Sequence, residues 1–597
     1  MAIERGRSRP AIRERTRQPP RRVDIPRSRI ICLVVFAVLL AASIWGRLAY
    51  WQVVQSHSLS ALAQAQHLTS IVLPATRGQV FDRNGQPLAI DTTAYDVAAA
   101  PDLIPAAQRA SVAARLAGAL GLQPSDVEST LNSRLKFAYI AKRVPEEKAS
   151  AVRQLALAGI SLEPVPQRTY LPGGTADVSL ASSLLGFVND AGQGQRGVEA
   201  FYQAQLAGRA GQATTYRDML GNQISLGNQP RVNPVDGSNL YLTLDANIQY
   251  AAEQAIAAGV AKNHAQSGSV LIMDPHTGGV VAWANYPSYN ANLADNFSAA
   301  QVAATQDPIV SSLYEPGSIM KVATLGGALD AGAITPTTSF DDPGYTNVAG
   351  SVIHDWDLRS HGVVTMTRVL DDSLNVGAIH AMQLEGPDNY IKYLKAFGFG
   401  APSYVDVAGE SSSWGGSGAQ MPSAADWGKV QMATASFGQG IAVNMVQMLD
   451  AVNVVANGGK LAQPHVVERI GNKANPALAA PRTVISPQAA AAMTSMMKDV
   501  VQHGSGWMAR VPGFQNNQTG KTGTSQMPEN GKYSATDVWS SYVGFLPADN
   551  PQFTMLVVIN KPNNGSDNAN EGYYVSGPIW KEIAQKIILQ WRIAPSS

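Results

Sequence analysis

The chain has 597 residues, 45% of them hydrophobic and 15% charged, with a formal net charge of +1. That composition fits a globular protein with room for several domains and excludes a disordered or polyelectrolyte chain. A single cysteine rules out an internal disulfide framework, and nine histidines without H-E-x-x-H or comparable ligand spacing argue against a metal enzyme.

Charge is concentrated at the start, where the first 29 residues carry ten arginines against three acidic residues among many Pro and Ser. A disordered basic tail is predicted there. A nucleic-acid arm would look similar, but Ile30–Gly46 follows at once as an uncharged apolar run between Arg29 and Arg47, with Tyr50 and Trp51 beyond it. A cleaved signal peptide is the competing reading; the run exceeds the usual ~7–15 residues of a signal core and continues into aromatic residues, which favours an uncleaved anchor. Residues 1–29 are therefore expected to be a cytoplasmic tail and 30–53 a single pass through the cell membrane, with everything beyond it extracytoplasmic. Cys32 falls inside the span.

From 54 to 235, β-prone pieces such as "TSIVLPATRGQVFD" and "TAYDVAAAP" alternate with an alanine-rich stretch near 105–160 that reads as helical, giving an irregular α+β module. The Gly- and Pro-rich segment "GNQPRVNPVDGS" marks its predicted end. In 236–597, "NLYLTLDANIQYAAEQAIAAGVAKN" reads as a strand followed by a long helix, and "GSVLIMDPHTGGVVAWANYPS" as a hairpin turned at 276–279. The segment "WSSYVGFLPADNPQFTMLVVINKP" reads as two more strands before a last helix. With alanine-rich helices between these strands, the expectation is α+β: one antiparallel sheet assembled from distant pieces, flanked by helices and interrupted by a helical subdomain.

In "LYEPGSIMKVATL", Ser318 and Lys321 follow a Pro-Gly break and lie one helical turn apart. Burial would leave the amine neutral, as a base for the hydroxyl. The same spacing occurs at Ser133 and Lys136 and at Ser495 and Lys498, and an ordinary helix-surface pair is the alternative for each. "NQTGKTGTSQ" supplies Lys521, Thr522, Gly523 and Thr524, which on an edge strand could hold a carboxylate and pair with an extended peptide; a polar turn is the alternative. A serine and an asparagine two apart occur at Ser288 and Asn290, Ser373 and Asn375, and Ser566 and Asn568. The first and last pairs lie in polar loops and are expected to be solvated. Ser373 and Asn375 lie between apolar helical stretches, where buried polar groups need partners.

Taken in order, Ser318 with Lys321, Ser373 with Asn375, and Lys521 to Thr524 resemble the motifs of penicillin-recognising serine acyltransferases. "TRGQVFDRNGQPLA", "QRTYLPGG", "RGVEAFYQAQLAG", "YEPGSIMK", "ASFGQGIAV" and "SYVGFLPADNP" extend the resemblance to division-type class B penicillin-binding proteins. The resemblance implies a bitopic protein with an elongated pedestal or dimerisation-type module at 54–235 and a transpeptidase domain at 236–597. It implies that Ser318 attacks the penultimate D-Ala carbonyl of a stem peptide, Lys321 acts as base, Ser373 relays the proton, and Asn375 holds the peptide amide and Lys321. Lys521, Thr522, Gly523 and Thr524 would bind the terminal carboxylate, the backbone N–H groups of Ser318 and Thr524 would form the oxyanion hole, and no cofactor is needed. An amine from a neighbouring stem peptide would accept the acyl group and complete the cross-link. The further partners implied are β-lactams as covalent inhibitors, a polytopic membrane glycosyltransferase and other division proteins, with no nucleic acid. A β-lactam-hydrolysing enzyme or sensor and a catalytically silent scaffold are the alternatives. The chain departs from the family at Ile319 and Asn444, where threonine is common.

Overall fold

The computed structural model describes residues 26–59, 68–217, 223–224, 231–411, 421–529, 531–563 and 570–595. Residues 1–25 of the expected basic tail lie outside this set, as do Ser566 and Asn568 and residues 227–230 of the predicted boundary segment. The chain divides into two compact units, one of residues 1–73 and 211–233, the other of residues 74–210 and 234–597.

In the first unit the uncharged apolar run forms the helix Arg27–Ala49, continued by a π-helical turn at Tyr50–Val54. Together they are long and apolar enough to cross a membrane, and none of the helix side chains is buried against protein. The same unit contains the antiparallel pair Leu68–Leu73 and Gly211–Arg217.

The second unit contains two large sheets. In one, Pro87–Ala99 pairs with both Ala138–Pro145 and Ile160–Tyr170, while Val80–Phe81 joins it to Leu240–Leu242 and Val467–Ile470. Helices Arg109–Leu120, Pro124–Leu131 and Glu146–Gln154 contribute to an apolar core on this sheet. Arg109–Leu120 buries Val112, Ala113, Leu116, Ala117 and Leu120, the spacing of one helical face. The alanine-rich stretch expected to be helical is interrupted by the strand Ala138–Pro145. Its "YIAKRV" alternates side chains and is richer in β-branched and aromatic residues than the helices around it.

The second sheet is antiparallel throughout, in the order Val280–Tyr286, Ser267–Met273, Phe553–Asn560, Lys532–Leu546, Lys521–Glu529. Helices Ala246–Lys262 and Gly572–Trp591 share a core with one face. The first is started by Asp245, whose carboxylate accepts from the backbone N–H groups of Asn247 and Ile248. The other face joins the main core, with helices Lys321–Asp330, Met445–Ala456 and Pro487–Gln502. Every side chain of Met445–Ala456 is buried, so it forms the centre of the helical layer rather than its surface. The sheet therefore ends in a firmly backed edge strand, Lys521–Glu529.

Candidate active site

Pro316 and Gly317 break the chain as expected, but the next residues form a 3₁₀ turn, Gly317–Met320, and the α-helix begins only at Lys321. Two backbone bonds tie Tyr314 to Val443, and the Gly317 N–H donates to the Gly438 carbonyl at 3.0 Å. A Cβ on Gly438 would lie 2.0 Å from the Gly317 oxygen, and its φ is +87°. This glycine lets the "FGQG" loop press against the turn that presents Ser318.

Lys321 is fully buried. Its Nζ lies 3.0 Å from Ser318 Oγ, 2.9 Å from Asn375 Oδ1, 2.5 Å from the Ser373 carbonyl oxygen and 3.4 Å from Ser373 Oγ. Ser373 sits between helices Met366–Asp371 and Asn375–Glu385 with φ +60°, a strained conformation of the kind found at functional sites. The next helix is anchored by Asp355, whose Oδ1 accepts from the backbone N–H groups of Asn375 (2.5 Å) and Val376 (2.9 Å). Asn375 Nδ2 donates to the His354 carbonyl at 3.2 Å, which turns its own carbonyl towards Lys321.

Lys521 is also fully buried, and its Nζ lies 2.9 Å from Ser373 Oγ and 3.0 Å from the Thr522 carbonyl. One hydroxyl thus lies between the two amines. Burial, reinforced by the charge of Lys521, pushes Lys321 well below the ordinary lysine range, against a smaller opposing pull from Asp355. Burial brings Lys521 down to about 7, although Asp371 and Glu571 favour its charged form. The arrangement can therefore keep a neutral amine beside Ser318 and a titratable cation a few ångströms away.

Among the described residues the Lys521–Glu529 strand pairs with Lys532–Leu546 alone, and it packs against the Ser318 turn. A Cβ on Gly317 would meet the Thr524 carbonyl oxygen at 3.0 Å. A Cβ on Gly523 would strike Ser541 Oγ at 2.3 Å and approach Ile319 Cγ2 at 3.1 Å, so glycine allows this close packing. Gly523 and Thr524 therefore lie against the Ser318 turn, while the Lys521 amine reaches Ser373 and lies 3.4 Å from the Thr522 hydroxyl. The Thr522 hydroxyl lies 3.0 Å from Ser505 Oγ, while the Thr524 hydroxyl donates to Glu571 Oε2 at 2.8 Å.

The other candidate pairs do not join this cluster. Ser133 lies in the turn after Pro124–Leu131, and Ser495 is exposed on Pro487–Gln502. Ser288 is not simply solvated as expected: its hydroxyl lies 2.7 Å from Ser182 Oγ. Asn444 caps Met445–Ala456 in a reciprocal pairing with Gln447, and Ile319 is buried under the turn. Among the described residues no group of three or more His, Cys, Asp or Glu is placed to hold a metal ion. Asp355, Ser505 and Glu571 are the residues that sequence reasoning missed; they belong to no motif, and only the chain's folding brings them to the cluster.

A family model for the penicillin-binding protein transpeptidase domain matches residues 268–585, and one for the penicillin-binding protein dimerisation domain matches residues 72–242. The chain is 30% identical to the probable peptidoglycan D,D-transpeptidase PbpC of Pseudomonas aeruginosa, over 95% of this chain and 96% of that protein. It is 28% identical to the peptidoglycan D,D-transpeptidase FtsI of Escherichia coli, over 95% and 92%. Among solved structures, a peptidoglycan synthetase from Bifidobacterium adolescentis superposes with a TM-score of 0.68 at 26% identity, covering 89% of this chain and 98% of that one. Two domain models matched in order, and relatives aligned along nearly the whole length, mean that the chain belongs to the penicillin-binding transpeptidase family.

Proposed function

We propose that this protein is a monofunctional peptidoglycan D,D-transpeptidase of bacterial wall synthesis, acting through a Ser318 acyl-enzyme. The observation that carries the reading is a fully buried lysine amine 3.0 Å from the hydroxyl of Ser318, on a turn packed against an edge strand. Lys321 takes the Ser318 proton as Oγ attacks the penultimate D-Ala carbonyl. The Ser318 and Thr524 N–H groups stabilise the oxyanion, a contribution of ~3 kcal/mol per donor. The peptide C–N bond then breaks, Ser373 passes the proton to the departing D-alanine, and an acceptor amine displaces Oγ to form the cross-link. Asn375 orients Lys321 and the peptide; Lys521 and Thr522 hold the terminal carboxylate. The Arg27–Val54 helix would anchor the chain in the cell membrane, with the arginine-rich side cytoplasmic and the catalytic unit outside. Residues 30–53 and 54–235 would contact a polytopic glycosyltransferase that polymerises the glycan, and the cross-linking would serve septal growth.

The test is intact mass of the detergent-solubilised full chain after incubation with benzylpenicillin, beside Ser318→Ala. One stable drug mass on the wild type and none on the variant is expected. An adduct lost within minutes would instead mark a hydrolase, and no adduct on either protein would sink the reading.

Lys521 adds a pH prediction. Its amine is cationic below about 7 and neutral above, so it holds a carboxylate only on the acid side. The second-order acylation constant, which reports the free enzyme, is expected to fall for benzylpenicillin as pH rises through about 7. The benzylpenicillin methyl ester lacks the carboxylate and should not show that loss. Stopped-flow rates for the two ligands across pH 6–9 check this, and parallel profiles would remove Lys521 from the carboxylate site.

A further inference from the structure

The Thr524 hydroxyl has one proton, and Glu571 receives it: Thr524 Oγ1 donates to Glu571 Oε2 at 2.8 Å and accepts from the Gly572 N–H at 3.1 Å. Both bonds come from the start of the Gly572–Trp591 helix, which packs against the strand behind the motif. A Cβ on Gly572 would lie 2.6 Å from the Gly523 oxygen, so the two backbones are in direct contact. Glu571 is only partly exposed, and its charge is felt at Lys521. A hydroxyl bound in this way offers an incoming carboxylate lone pairs rather than a proton, with an anionic side chain directly behind it.

We infer that Glu571 is a specificity-determining residue that sets the charge preference of the Thr524 end of the cleft, disfavouring anionic groups there and leaving carboxylate recognition to Lys521 and Thr522. This rests on the transpeptidase reading of the site, in which the donor's terminal carboxylate lies along Lys521 to Thr524. Releasing the hydroxyl or removing the negative charge makes that end more receptive to anions. Glu571→Gln removes the charge while keeping an acceptor for Thr524, and Glu571→Ala also releases the hydroxyl.

The experiment measures acylation of the full chain by benzylpenicillin and by its neutral methyl ester, for the wild type and both variants, at low ionic strength, with thermal melts confirming that each protein is folded. Because Glu571 also favours the charged form of Lys521, which titrates at about 7, the rates are followed across pH 5–8 and compared on the acid plateau, where Lys521 is cationic in every protein. The ratio of the anionic to the neutral rate constant is expected to rise about tenfold in Glu571→Gln, as for removal of one nearby like charge at a partly exposed site, and further in Glu571→Ala. The rise should shrink as salt is added. A residue that merely caps the helix would change both rates together and leave the ratio alone. An unchanged or lower ratio in folded Glu571→Gln overturns the inference. Failure of the underlying reading is distinguishable, because the wild type would then form no adduct with either ligand.

Discussion

Lys321→Met is expected to slow acylation by benzylpenicillin by ~10²–10⁴-fold, the usual contribution of a positioned general base. Methionine is close to lysine in length, and the position is fully buried, so the apolar stem of the side chain can be replaced without opening a void. What is lost is the nitrogen that faces Ser318 Oγ, Asn375 Oδ1 and the Ser373 carbonyl. Those oxygens lose a donor, at a cost of ~1–3 kcal/mol for each buried group left unpaired. The variant should therefore melt somewhat lower while reacting far more slowly. The pH profile separates the two effects. Burial and Lys521 hold the Lys321 amine neutral, and protonation removes the base, so the wild-type rate falls as pH is lowered through the lysine's depressed pKa. Lys321→Met should lose that acid limb and retain only a slow, hydroxide-dependent reaction. A reduction under tenfold with the acid limb intact would move the base role to another group.

Much of this site was legible because its reacting groups are carried by short strings whose order along the chain survives folding. Ser373 and Asn375 could be selected among look-alikes by their apolar surroundings, Ser318 and Lys321 by the order of the motifs that carry the resemblance, and the Lys521 to Thr524 segment because its string occurs once; the structure gathers them. The antiparallel sheet was readable for a related reason: its strands are long apolar runs bounded by turn residues. The strand Ala138–Pro145 was not, because alanine-rich flanks with helical spacing hid a short alternating segment whose partner, Pro87–Ala99, is remote in sequence. Nor could the sequence place Glu571 behind Thr524 or Asp355 beneath Asn375. Both contacts depend on separate elements meeting in three dimensions.

Glu199→Ala is expected to destabilise the catalytic chain's larger unit by ~3–5 kcal/mol, the cost typical of removing one partner from a buried ion pair. Glu199 is fully buried. Its Oε2 accepts from Arg77 Nε at 2.9 Å and Nη2 at 2.5 Å, and its Oε1 accepts from Arg168 Nε at 2.7 Å and from the Tyr170 hydroxyl at 3.3 Å. Arg168 is also paired with Asp91 at 3.0 Å, whereas Arg77 has no other carboxylate among the ion pairs of the described residues. Truncation would therefore leave at least one guanidinium buried without a counter-charge. The double variant Arg77→Met, Glu199→Met should lose less than Glu199→Ala, because it removes both charges of the closest pair. Chemical denaturation of the three proteins measures the difference; equal losses would mean that packing, not charge, dominates. The residues also give a physical content to three strings of the sequence. Arg77 belongs to "TRGQVFD", Arg168 to "QRTYLPGG" and Glu199 to "RGVEAFY", and they converge on one carboxylate. Segments that look like separate signatures along the chain are, in the folded protein, the parts of a single charge cluster joining the Pro87–Ala99 and Ile160–Tyr170 strand pair to the Gly197–Phe201 helix.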